Sequence, residues 1–214
     1  MNLREHGKAT RIIVLCEGET EVIAVREFIK RKWEENGLRS VGLIPIDLRG
    51  QLGNLHDKAE RFCRDEKNIA VFTLVDLHEF KGVDLRGFGP LTEKIGAAKK
   101  WLKNDFETRV LEKFHPHLAV HETEAWILAD GEALANRLRN RGIRPRRNAE
   151  KIDDQNPPKK ILDELFKKYR KHEYRVLIDG APLFKKMDFT RVYGSCPNFR
   201  EFYEDLKSAA QAVR

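Results

Sequence analysis

Two acids stand where an apolar run stops. Arg11–Cys16 (RIIVLC) is apolar and β-branched, and Glu17-Gly18 follows it at once; Ile69–Val75 (IAVFTLV) ends as abruptly at Asp76. If the two runs are neighbouring parallel strands, both carboxylates lie at the carboxyl end of the sheet, where open α/β folds gather their reactive groups. Carboxylates held close together repel unless a cation sits between them or one takes a proton. An oxygen-rich centre of this kind suits Mg²⁺ or Mn²⁺, ions that neutralise phosphate charge and activate a water. Glu17 and Asp76 are therefore the candidate catalytic pair. Glu17, Asp76, Glu21, Glu79 and Glu122 are the candidate metal ligands, and Glu124 is a further acid of the same kind. Plainer readings exist: Glu21 and Glu124 as favourable charges in the first turn of a helix, Asp76 as the cap of a turn.

The elements that must position these acids follow from periodicity. After the strand 11–16, Thr20 is a candidate N-cap, and Val22, Val25, Ile29 and Trp33 recur at helical spacing until Asn36-Gly37. Val41–Ile46 reads as a second strand, Leu55–Arg64 as a helix and Ile69–Val75 as the third strand. An irregular stretch from Leu77 to Pro90 has the length of a functional loop. Thr92–Phe114 predicts one long amphipathic helix, and Leu118–His121 a short strand. Glu124–Leu138 predicts a helix broken near Gly131, with Trp126 in the core. Asp153 to Pro158 is a polar link, Pro158 to Tyr169 a helix, and Phe199 to Val213 a closing helix. Strand and helix in alternation imply parallel strands joined by right-handed crossovers, and continuous apolar runs fit strands buried on both faces.

Composition narrows the function classes. The chain has 214 residues, 41% hydrophobic and 35% charged, enough for a real core. No run approaches the roughly 18 apolar residues of a membrane span, and the polar N-terminus carries no apolar signal core. Three scattered cysteines without a CxxC pair read as reduced thiols of a cytoplasmic protein. Only Gly18 follows the first strand, with neither a dinucleotide-binding glycine loop nor a P-loop, which argues against a small-molecule enzyme on a Rossmann frame. The net charge is +7, unevenly spread: residues 137–186 hold 16 Lys/Arg against 7 acids, leaving 25 against 27 elsewhere. Such asymmetry suits a polyanionic partner, with a solvated helical surface as the alternative. Arg137, Arg139, Arg141, Arg144, Arg146 and Arg147, without interleaved aromatics, read as a surface for backbone phosphates rather than stacked bases. Lys159 and Lys160 open a helix, where phosphate is readily held.

The segment RIIVLCEGETE resembles the first motif of TOPRIM domains, an apolar strand followed by E-G-x-T and an acid, here Glu17, Gly18, Thr20 and Glu21. TOPRIM domains occur in topoisomerases, primases and OLD-type nucleases. Their Glu serves phosphodiester chemistry as an acid/base or metal-linked group, and their second motif is a strand ending in D-x-D. Asp76 matches its first Asp; His78 stands where the second is expected. A narrower resemblance spans nearly the whole chain. HETEAWILAD (His121 to Asp130), NPPKKI (Asn156 to Ile161) and CPNF (Cys196 to Phe199) are similar to the motifs of the DUF4276 family of TOPRIM-like proteins. The resemblance implies an α/β fold: a Rossmann-like TOPRIM domain with a mostly parallel central sheet of about four strands flanked by helices, plus a helical C-terminal extension. We place the α/β core at residues 1–136 and the basic extension, packed on it, at 137–214. It further implies an Mg²⁺- or Mn²⁺-dependent nuclease acting on tRNA, other RNA or DNA, in some members paired with an ABC-type ATPase in anti-phage defence. A non-catalytic module that binds nucleic acid or an ATPase is the alternative that His78 keeps open. A single chain and a homodimer are equally compatible with the sequence.

Overall fold

The computed structural model describes residues 10–77, 80–120, 123–146, 148–151 and 156–213. The first half alternates strand and helix. β1 (Thr10–Cys16) leads into α1 (Glu19–Ile23), a π-helical stretch (Ala24–Ile29) and α2 (Lys30–Glu35), which run as one continuous helical segment. β2 (Val41–Asp47), α3 (Leu55–Arg64) and β3 (Asn68–Asp76) follow. Next come α4 (Leu91–Lys103), α5 (Thr108–Leu111), β4 (Phe114–His115) and β5 (Leu118–Ala119). The rest is helical: α6 (Glu124–Ala129), α7 (Gly131–Leu138), α8 (Pro158–Arg170), a π-helical turn (Val176–Gly180), α9 (Ala181–Lys186), α10 (Phe189–Ser195) and α11 (Pro197–Gln211).

The strands lie in the order β2-β1-β3-β4, with β5 also paired to β3, and every pairing is parallel. This is the α/β architecture that the TOPRIM resemblance implies. β4 and β5 are two pieces of one edge position. Between them Pro116 has no N–H to give to the ladder. The side chain of Thr73 bridges the gap instead: its hydroxyl donates to the His117 carbonyl (2.8 Å) and accepts from the His117 N–H (3.0 Å).

Apolar residues alternate between the two faces of β1 and β3, as strand geometry requires. Ile12, Val14, Phe72 and Leu74 share one core with Val25, Phe28 and Trp33 and with Phe166, Phe184, Phe199 and Tyr203 from the C-terminal helices. Ile13, Leu15, Val71 and Val75 share the other with Leu55, Ala59, Ala98 and Leu102. The chain leaves β1 toward β2 on one side and reaches β3 on the other, so the winding reverses between β1 and β3. In open sheets that reversal opens a crevice at the carboxyl ends of the strands.

Three expectations are corrected. The predicted helix 92–114 is two helices and a strand: Asn104 is extended, Asp105 is left-handed (φ 62°), and Phe114 is drawn into the sheet beside Val71. Leu102, Phe106, Val110 and Phe114 keep a four-residue spacing across the break, so periodicity alone does not reveal it. Thr20 is not the N-cap: the helix starts one residue earlier and Gly18 occupies the cap. The edge position predicted at 118–121 begins earlier, at Phe114, and is interrupted. The expected break near Gly131 is present. Asp130 leaves helical geometry and caps α7, accepting from the Ala133 N–H (3.2 Å). A Cβ on Gly131 would lie 2.2 Å from the Pro145 nitrogen, so only glycine lets that loop pass.

The start of α11 is held from outside the helix. Glu150, 4% exposed, accepts from the backbone N–H of Asn198 (2.8 Å) and Phe199 (3.0 Å), satisfying donors a helix start leaves open. Trp126 sits beneath this contact, with its ring 4.7 Å from that of Phe199 and 6.5 Å from that of Phe28. Trp126→Ala should therefore cost about 3–5 kcal/mol of stability. Urea denaturation checks this, and a loss under about 1 kcal/mol would show that α11 docks without the Trp126 contact.

Candidate functional site

At the carboxyl ends of β1 and β3, Cys16 is in register with Leu74. Glu17 extends that ladder by one bond, its N–H donating to the Leu74 carbonyl (3.1 Å). Its side chain then turns across the strand end, and Oε2 accepts the backbone N–H of Asp76 at 2.9 Å. The carbonyl of Glu17 receives the N–H of Gly50 (2.7 Å) from the loop after β2. Glu17 is thus fixed from two neighbouring strands at the point where the winding reverses.

Glu21 lies one helical turn further on and is 7% exposed. Its Oε2 accepts from the N–H of Gly18 (3.1 Å) and its Oε1 from the hydroxyl of Thr123 (3.2 Å). Burial is the largest influence on its carboxyl; hydrogen bonds from its own backbone N–H, the Gly18 N–H and the Thr123 hydroxyl oppose it, the charge of Glu17 adds a smaller push, and the pKa is raised to about 7. Glu124, 3% exposed in the first turn of α6, accepts the hydroxyl of Thr20 at 3.4 Å. The two Thr-Glu pairs are exchanged: Thr20 serves Glu124, and Thr123 serves Glu21. E-G-x-T-E and H-E-x-E-A, about a hundred residues apart, are therefore bonded to each other at the strand ends.

The donors here are carboxylate oxygens, and a buried carboxyl that retains a proton near neutrality is chemistry a hard divalent cation would reverse. The described residues bring Glu17, Glu21, Asp76 and Glu124 to this corner, and Asp47 ends β2 in register with Cys16. His78, Glu79, His121 and Glu122 lie outside the described residues. Among the described residues, the carboxylates at the strand ends do not by themselves bring three ligand atoms within 4.8 Å of one another.

That spacing is met elsewhere, by His117, Glu201 and Asp205, a group able to hold a metal ion. Glu201 and Asp205 are one turn apart on α11. His117 Nε2 is 3.0 Å from Asp205, while Glu201 is bound by the Lys99 ammonium at 2.9 Å. Burial, aided by the charge of Lys99, pulls the His117 pKa down to about 4, so its ring is neutral at pH 7. The hollow beside it is only about 10 Å³. It has no room for a substrate, and a metal there would first displace Lys99 from Glu201. The i, i+4 spacing of the two acids was readable in the sequence; nothing in the sequence joined them to His117.

The basic candidates are dispersed. Arg137 is held by buried Asp179 (2.8 Å) and by the Ile178 carbonyl (2.9 Å). Arg141 and Arg144 are exposed, Arg144 donating to the Arg141 carbonyl (3.0 Å). The Arg146 backbone N–H bonds the Leu128 carbonyl (2.8 Å). Lys159 and Lys160 are exposed in the first turn of α8. Arg147 lies outside the described residues. Among the described residues no helix is long and apolar enough to cross a membrane, and the three cysteines are free and buried.

The raised pKa of Glu21 has a consequence for stability. Between its ordinary value of 4.5 and about 7, the native state keeps a proton that the unfolded chain has lost. Stability therefore falls as pH rises through that window. Glu21→Gln keeps an acceptor for Gly18 and should flatten this slope, gaining about 1–3 kcal/mol over the parent above pH 7 in the presence of a chelator. Urea denaturation at pH 5 and pH 8 checks it; equal slopes in both proteins would rule out this role for Glu21.

A family model described as a domain of unknown function, DUF4276, matches residues 16–207. No curated protein and no solved structure matches the chain. The match runs from the end of β1 into α11, taking in the strand-end acids and the helices packed beneath them, and the chain belongs to the DUF4276 family.

Proposed function

We propose that this protein is a metal-dependent nuclease whose reaction centre is the acidic corner at the ends of β1 and β3. The observation that carries the reading is the clamp of the Glu17 carboxylate on the Asp76 N–H at the reversal of winding, with buried Glu21 one turn away. Glu17 acts as the acid/base and a metal-linked group, Asp76 as a ligand, and Glu21, Glu79 and Glu122 complete the ligand set. Mg²⁺ or Mn²⁺ bound there would neutralise the scissile phosphate and activate a water. The Glu17 carboxylate is the group that would take a proton from that water. Glu21, with a pKa of about 7, is suited to change protonation at neutral pH. Nucleic acid (tRNA, other RNA or DNA) is held by Arg137, Arg141, Arg144, Arg146, Arg147, Lys159 and Lys160 through its phosphates. Following the family resemblance, we place the protein in the cytoplasm as the effector partner of an ABC-type ATPase in anti-phage defence.

His78 in the place of an acid favours a second reading, a module that binds nucleic acid or an ATPase without cutting. One experiment separates the two. Labelled tRNA and DNA pools are incubated with the parent and with Glu17→Gln, with and without Mg²⁺ or Mn²⁺. The substituted side-chain amide retains an oxygen for the Asp76 N–H, so the fold should persist by circular dichroism while cleavage falls by at least about 100-fold. Cleavage by the variant at the parental rate would refute the proposed centre, and no cleavage by either protein would favour the binding module. Binding to the basic region should weaken about 100- to 1,000-fold between 50 and 200 mM salt if four to six phosphates are contacted. A flat salt response in a filter-binding assay would remove these residues from the interface.

A further inference from the structure

A cavity of about 450 Å³ opens between α7 and α9, at the end of α6 opposite Glu124. Its size falls within the roughly 300–1,000 Å³ of small-molecule sites. Charges of both signs line it. Arg191 bonds Asp130 (3.1 Å) and Glu132, and Asp188 caps α10 by accepting the Arg191 N–H (2.9 Å). These acids are satisfied where they stand. Arg137, Arg139, Arg170 and Lys186 complete the charged lining. Arg137 gives one Nη to Asp179, yet its Nε is buried and makes no hydrogen bond. Arg139, Arg170 and Lys186 form no ion pair among the described residues.

We propose that this cavity binds a phosphate monoester on a nucleotide-sized body. A carboxylate is a monoanion that a single guanidinium fork can satisfy. Three cations that form no ion pair among the described residues, Arg139, Arg170 and Lys186, match a group with close to two negative charges and three acceptor oxygens. Pro182 and Leu183 supply an apolar wall for the rest of the ligand. The cavity and the acidic corner are at opposite ends of α6, so binding here is tested apart from cleavage, although Arg137 belongs both to this lining and to the proposed nucleic-acid surface. Two sources offer the same chemistry: a free mononucleotide and the 5′-phosphate end of an RNA strand.

The test is isothermal titration of the full chain in chelator, so that no cleavage enters. Adenosine 5′-monophosphate is compared with adenosine, and a 5′-phosphorylated RNA trinucleotide with its 5′-hydroxyl form. At least one phosphorylated member should bind tenfold or more tightly than its counterpart. Binding of the mononucleotide identifies a free ligand; binding of the trinucleotide alone identifies a strand end. The double variant Arg139→Glu/Lys186→Glu, and separately Arg170→Ala, should each weaken that binding at least tenfold with unchanged circular dichroism. Equal binding of phosphorylated and unphosphorylated forms, or parental binding by the folded variants, overturns the proposal.

Discussion

The exchange of two hydroxyl groups between two carboxylates organises the acidic corner of this protein. Glu21 and Glu124 are both nearly out of reach of water, and a buried carboxyl without donors is strongly destabilising. Each finds its donor on the other's segment, Thr123 for Glu21 and Thr20 for Glu124. Neither helix start can be moved without stranding a polar group of the other. This fixes α6 against α1, and α6 carries Trp126 into the core that α11 completes.

The strand ends use the same economy of contacts. β3 runs two residues past the position in register with the end of β1, and the Glu17 side chain spans that overhang by taking the Asp76 N–H. Its backbone carbonyl is spoken for by Gly50. This holds the acid at the reversal of winding, where open sheets bind their ligands. Glu21 behind it has a different environment and a different proton affinity. Unlike surroundings for paired carboxylates are how one site assigns unlike proton roles to the same residue type.

In the C-terminal helices, acids and bases that look like surface charge act inside the structure. Asp130 caps α7, accepts the Asp188 N–H (2.7 Å) and pairs with Arg191. Asp179, 1% exposed, holds Arg137, and Glu150 holds the start of α11. Each buried acid joins separate segments by bonds to backbone or guanidinium, so these short helices, too short to persist alone, are fixed in place. Arg139, Arg170 and Lys186, which form no ion pair among the described residues, line one cavity.

Much of the frame was legible in the residues themselves. Apolar runs at Arg11–Cys16, Val41–Ile46 and Ile69–Val75 fall within strands, and Leu55–Arg64 is a helix with those bounds, because burial on two faces or one face leaves a period that a chain cannot hide. The adjacency of Glu17 and Asp76 followed from the same reasoning, since alternating strands and helices leave parallel neighbours. The break at Asn104-Asp105 was not legible, because an apolar spacing of four runs unbroken from Leu102 to Phe114. The Thr-Glu exchange, the joining of His117 to Glu201 and Asp205, and the inward turn of Arg137 were not legible either. Sequence records what each residue prefers locally; which distant donor meets which buried acceptor depends on how the layers dock, and only the folded chain decides that.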